Sequence, residues 1–139
     1  MLRLTAIVRP GAKATEEALT KAQDFFKKAR EAIDARDKDQ AKTLLKQAIA
    51  AWPGLAAAHQ ALADLAEQSG NEDEMLAAYR AWTASGPRTP LPWNRLGAIL
   101  EARKDYKGAL QAFNQSLKVE WNQPPTLDAK NRVEKLVDH

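Results

Sequence analysis

Histidine, carboxylate and tryptophan side chains are the first places to look for special chemistry in this 139-residue sequence, which contains no cysteine. The lack of thiols excludes disulfides, thiolate metal ligands and cysteine nucleophiles. Of the two histidines, His139 is the last residue and His59 has no second histidine or carboxylate at ligand spacing. Neither a metal site nor an acid/base pair is therefore expected. No glycine-rich phosphate loop, G-x-S-x-G elbow or H-E-x-x-H pair occurs. The sequence predicts no enzyme and no cofactor, and it assigns His59 a packing role with its polar edge at solvent. The tryptophans Trp52, Trp82, Trp93 and Trp121 invite an aromatic-cage reading. Large aromatics more often fill cores, and Trp52 and Trp121 sit where they can cover a neighbouring element.

What remains is recognition, and recognition depends on the elements that carry it. Hydrophobic residues are 45% and charged residues 28% of the chain, ordinary for a globular protein, and the commonest residues favour helix. A net charge of +3 is too small to point to nucleic acid. The first fifty residues carry 11 basic and 7 acidic side chains, but these interleave, as in Lys27, Lys28, Arg30, Glu31, Asp34 and Arg36. Such a pattern describes a solvated helix face with i,i+4 pairing. No apolar run approaches the roughly 20 residues of a membrane span, so membrane insertion is not expected and a cytoplasmic location is the default. Residues 1–14 read as a leader outside the folded domain.

Sliding the sequence against itself by 34 residues brings three registers together. Ala29, Ala63 and Gly97 form a small column, Leu45, Tyr79 and Phe113 a large one, and Ala41, Met75 and Ala109 an apolar one. Apolar residues recur at helical spacing within each register, as in Phe25, Ala29, Ala32 and Ile33, or Leu96, Ile99 and Leu100. Breaks fall at Arg36-Asp37, Gly70-Asn71 and Lys104-Asp105, and at Trp52-Pro53-Gly54, Ser85-Gly86-Pro87 and Asn122 to Pro125. These divide the chain into helix pairs at about 15–36 and 39–51, 55–68 and 72–84, and 90–103 and 106–119. A further amphipathic stretch at about 126–137, with Thr126 as N-cap and Ala129, Val133, Leu136 and Val137 along one side, predicts a capping helix. Thr15 would cap the first helix.

The last register carries Trp93, Leu96, Gly97, Tyr106, Ala109, Phe113 and Leu117 in order. This resembles the Trp, Leu, Gly, Tyr, Ala, Phe pattern of the tetratricopeptide repeat (TPR) family. The resemblance implies an all-α TPR solenoid within 15–139, with repeats at about 22–55, 56–89 and 90–123 and the capping helix behind them. The second repeat diverges most, with His59 in the tryptophan column and bulky Met75 and Trp82 opposite an alanine-rich first helix.

In this family the first helix of each repeat lines a concave groove. The resemblance implies a partner-binding surface of Phe26, Lys27, Arg30, Gln60, Asp64, Leu91, Asn94 and Arg95. Where the family's chaperone-tail clamp wants Lys, Asn, Asn, Lys and Arg, this chain has Phe26, Arg30, Ala61, Leu91 and Arg95, so only Arg95 matches. A non-catalytic module holding a protein or peptide segment is the expected function, with an acidic segment suiting Lys27, Arg30 and Arg95. Self-assembly into a homo-oligomer, membership of a larger complex, or a regulatory domain of a longer protein are the alternatives.

Overall fold

The computed structural model describes residues 12–137, with side chains from residue 15. Within them are seven helices and no strand: α1 (Ala12–Asp34), α2 (Lys38–Ala51), α3 (Ala56–Ser69), α4 (Glu72–Ala84), α5 (Leu91–Ala102), α6 (Tyr106–Val119) and α7 (Pro124–Val137). A helix stands over each predicted helical segment. Helix α1 begins at Ala12, so Thr15 lies inside it rather than ahead of it, and residues 1–11 of the expected leader lie outside the described residues.

Each second helix starts in the same way, 34 residues from its counterpart. Asp37, Asn71 and Asp105 accept hydrogen bonds from the backbone N–H groups of Gln40 (3.1 Å), Glu74 (3.1 Å) and Gly108 (3.0 Å). Each occupies one of the donors that a helix start leaves without an intrahelical partner. The residue just before each cap is left-handed: Arg36 at φ 61°, Gly70 at φ 71° and Lys104 at φ 66°. In the first and third turns the cap N–H donates back five residues, from Asp37 to the Ala32 carbonyl and from Asp105 to the Leu100 carbonyl, both at 2.9 Å. These are the helix-ending bonds that a left-handed residue permits. The second turn reaches the same end through a side chain: Ser69 donates to the Ala66 carbonyl at 2.7 Å, and the Asn71 N–H donates to the Ser69 hydroxyl at 3.3 Å.

The described residues form two compact units, divided between Leu62 and Ala63 within α3. In the first, α1 packs on α2, with Ala22 and Ala29 of α1 and Ala41, Leu45 and Ala48 of α2 wholly shielded from solvent. Alanines at the contact let the two helices approach closely while leucine fills the groove opposite. In the second, α4 packs on α5, α5 on α6 and α6 on α7. Tightest is the approach at Gly97, where a Cβ would lie 2.5 Å from a ring carbon of Phe113. Only glycine leaves space for that ring. Trp82 is buried and stacks on Tyr79, with ring centroids 6.2 Å apart, whereas Met75 is half-buried.

Several tertiary positions differ from expectation. Helix α7 starts at Pro124, which lacks the N–H that a first helical residue would leave unsatisfied. Thr126 is therefore not the cap. It is buried, and its hydroxyl donates to Asn94 Oδ1 (3.1 Å) and lies 3.2 Å from Gln123 Oε1. Ala129 and Val133 are buried as predicted, but Leu136 is exposed and Val137 only half-buried. His59 does not present an edge to solvent, being only 1% exposed. Its Nε2 lies 2.7 Å from the Pro53 carbonyl, which can only accept, so the ring carries its proton there. Trp93 is half-buried, and Trp121 covers nothing, at 83% exposed.

Candidate recognition faces

On α1 the buried stripe of Ala22, Ala29 and Ala32 leaves Gln23, Lys27 and Arg30 on exposed positions and Phe26 half-buried. The Arg30 guanidinium stands 6.0 Å from the centre of the Phe26 ring. That separation brings the cation to the ring's negative face, and packing along the guanidinium stem explains why so large an aromatic is tolerated at a helix surface. Lys27 adds a second exposed positive charge on this helix. Gln60, on the part of α3 within the first unit, is exposed, and Ala61 beside it is half-buried. The first unit thus presents cations with an aromatic between them.

The second unit offers opposite chemistry from equivalent helices. Glu67 lies one turn after Asp64 on α3, and one of its carboxylate oxygens receives two groups. The Tyr79 hydroxyl donates to it at 2.6 Å, and the Arg95 Nε lies 3.9 Å away. Burial, followed by the bond to Glu67, pushes the Tyr79 phenol far above its ordinary range, so it remains a donor. Loss of water, followed by repulsion from Glu67, raises the Asp64 carboxyl above its usual value. Asp64 and Glu67 thus outnumber Arg95, whose side chain is 56% exposed. Leu91, 40% exposed in the first turn of α5, adds an apolar surface.

Asn94 is differently placed. Its amide nitrogen donates to Gln123 Oε1 at 2.8 Å, and its oxygen accepts from Thr126. Gln123 in turn donates to the Ser116 carbonyl at 3.1 Å and the Glu120 carbonyl at 2.6 Å. Asn94 is therefore a tie between α5 and the start of α7, with its amide already engaged. Sequence reasoning placed it on the groove because the family resemblance puts first-helix columns there, and a partner 29 residues away left no local signal. It also treated Tyr79 as packing alone and missed the hydroxyl. A buried tyrosine needs a partner for its O–H, and Glu67 was the nearest acid on the preceding helix.

Among the described residues no group of three histidine or acidic side chains is placed to hold a metal ion, and no helix is long and apolar enough to cross a membrane.

Residues 26–90 match the family model of the tetratricopeptide repeat. Among solved structures the chain is similar to the N-terminal domain of stress-induced protein-1 (STI-1) from C. elegans, with a TM-score of 0.66 and 16% identity over 84% of this chain and 97% of that one. It is similar also to the first TPR of Spaghetti (RPAP3) bound to the HSP90 peptide SRMEEVD, with a TM-score of 0.61 and 14% identity over 87% and 96% of the two chains. A third is the Sgt2 TPR domain from Aspergillus fumigatus, with a TM-score of 0.56 and 19% identity over 84% and 79%. No curated protein sequence matches. Residues 26–90 are thus similar to the tetratricopeptide repeat, and the described residues form an all-α fold like that of these structures.

Proposed function

We propose that the chain is a non-catalytic module that holds protein or peptide segments on the first-helix faces of its repeats, with a different chemical preference in each unit. The first unit's face takes acidic side chains, because Lys27 and Arg30 are exposed cations flanking Phe26, an apolar anchor. The second unit's face takes a basic side chain next to an apolar one. The observation that carries this is the environment of Arg95: Glu67 stands 3.9 Å from it and Asp64 adds a further carboxylate, so the surplus charge there is negative. This revises the single acidic ligand that Lys27, Arg30 and Arg95 suggest when counted alone.

The chaperone-tail clamp is a poor model for this chain. RPAP3's first TPR is similar in fold and holds an HSP90 peptide, which supports peptide holding as the kind of activity. Fixing a terminal carboxylate from several directions needs converging donors. Here Phe26, Ala61 and Leu91 offer none at the corresponding positions, and Arg95 already faces Glu67.

Partner capture with matched variants tests the reading. A triple variant Phe26→Ala, Arg30→Ala, Asp64→Ala should keep its helicity and melting temperature and lose the partners that the parent chain retains. At an interface hot spot each truncation costs about 2 kcal/mol or more. Lys42→Glu and Arg80→Glu, on second helices, should leave capture intact. Retention by the triple variant, with loss in the second-helix variants, would place binding on the other side of the repeats.

A further inference from the structure

Between α4, α5 and α6, within the second unit and away from the recognition faces, lies a hollow of about 580 Å³. This is within the roughly 300 to 1,000 Å³ typical of ligand clefts. Its floor is Trp93, Leu96 and Leu100; Arg80 stands on one wall, and Gln111 and Gln115 lie one turn apart on the other. Trp93 is half-buried, and Gln111 and Gln115 are exposed. The Arg80 guanidinium has no ion pair among the described residues. Asp105 also borders the hollow, but its carboxylate is engaged as the cap of α6. The hollow therefore offers an apolar aromatic floor, one free cation and two carboxamides.

The same unit carries a segment of matching chemistry on its surface. Glu120, Trp121 and Asn122 form the connector between α6 and α7, and all three are exposed, Trp121 at 83%. The connector is held at both ends. Gln123 clasps the Ser116 and Glu120 carbonyls, and its own N–H donates to the Trp121 carbonyl at 3.1 Å. Val119 and Leu127, on either side, are exposed at 37% and 46%. An indole displayed on a fixed backbone loses little conformational freedom when it is buried by a partner. Large exposed aromatics on rigid supports are typical anchors of protein interfaces.

We propose that this connector docks into the hollow of a second copy of the chain. The Trp121 indole enters over Trp93, Leu96 and Leu100, the Glu120 carboxylate pairs with the Arg80 guanidinium, and the Asn122 amide meets Gln111 and Gln115. Charge and polarity match at each of the three residues, which selects a second copy over a partner of unrelated sequence. Knob and hollow are different surfaces, so the contact is heterologous and each added copy leaves one of each free. Weak, open-ended association is the consequence. It does not involve the first-helix faces and stands or falls separately from them.

Sedimentation equilibrium of the full chain from about 10 μM to 1 mM, a range suited to small transient interfaces, tests it. The weight-average mass should rise continuously beyond that of one chain. Trp121→Ala removes the knob, and Ala84→Arg with Gln115→Arg fills the hollow from two exposed positions; each variant alone should stay monomeric. An equimolar mixture of the two should stop at a heterodimer, because one supplies only the knob and the other only the hollow. If the filled variant does not fold, charge exchange replaces it. Arg80→Glu and Glu120→Arg should each weaken association at least about tenfold, and mixing the two should restore open-ended association, because each variant's knob then meets a hollow of opposite charge. A parent chain that is monomeric throughout, a Trp121→Ala variant that still associates, or mixtures that recover nothing would each overturn the proposal.

Discussion

The α1–α2 pair and the α5–α6 pair are built on one frame, while the charges turned outward differ between the two units. In both, a left-handed residue and an aspartate cap start the second helix, and a small residue on the first helix meets a large one on the second. In the first pair Ala29 and Leu45, both wholly buried, stand in these columns, and in the third repeat Gly97 lies against Phe113. Outside the frame they diverge. Lys27 and Arg30 make one face cationic, whereas Asp64 and Glu67 outweigh Arg95 on the other. The frame positions are set by helix approach and turn geometry, which every repeat must satisfy, and the outward positions are not so constrained. Repetition therefore marks what folds the chain, and departure from repetition marks where recognition is to be sought.

The second unit also has polar ties across its helices. Arg103 reaches Glu72 (2.5 Å) and Asp73 (2.6 Å), Arg132 makes a two-pronged contact with Glu101 (2.6 and 2.9 Å), and Asn94, Gln123 and Thr126 join α5 to α7. The ion pairs are exposed, so their worth is small individually. The amide network is partly buried, and removing one member leaves others without partners. Ending the chain before Pro124 should therefore have the largest effect. It removes buried Ala129 and Val133 and leaves Asn94 without Thr126. Denaturant unfolding should show a large loss of stability with increased self-association, because a repeat stack needs a polar-faced end. A truncated chain as stable and monodisperse as the parent would make α7 an appendage.

Next in size is the small column, where the two pairs should respond in opposite ways. Gly97→Leu must displace the Phe113 ring and should cost roughly 1 to 3 kcal/mol by overpacking. Ala29 already carries a Cβ at its interface, so Ala29→Gly is the damaging change there, by about 1 kcal/mol. Thermal melts of the two variants check the pair, and an unaffected Gly97→Leu variant would remove the tight crossing from the account.

The caps should behave alike across repeats. Asp37→Ala and Asp105→Ala each forfeit a side-chain acceptor for a helix N–H and should cost about 1 kcal/mol. A clear inequality between them would show that the frame is less uniform than its geometry. The residues before the caps give the smallest effect and the opposite sign. Arg36→Gly and Lys104→Gly relieve a left-handed backbone and should change stability by less than about 1 kcal/mol, upward, because glycine's greater freedom in the unfolded chain offsets part of the gain. Gly70→Ala should lose stability by a similar amount.

Helix existence and turn positions were legible from the sequence because their signals are local. Apolar period, a cap residue and the residue before it lie within a few positions of each other. Burial of particular side chains was less legible. Thr126 resembled a cap until Pro124 supplied the helix start and Asn94 supplied a distant partner. His59 was expected to pack with its polar edge at solvent, yet that edge reaches the Pro53 carbonyl and is enclosed. Trp121 was expected to cover a neighbour, but the Gln123 clasp holds its connector where the indole turns outward. In the recognition faces, residue type and exposure at Lys27, Arg30 and Leu91 could be read directly. The engagement of Arg95 by Glu67 required the fold, and it changes the sign of the ligand expected there.

Chemical-shift mapping would distinguish the two faces residue by residue. The isotopically labelled chain would be titrated with two amide-capped decapeptides, one alternating glutamate with leucine and one alternating lysine with leucine. The account predicts that the acidic peptide shifts amides around Phe26, Lys27 and Arg30, and that the basic peptide shifts those around Asp64, Glu67 and Leu91. Both peptides shifting the same residues, or shifts confined to the exposed sides of α2 and α6, would contradict it.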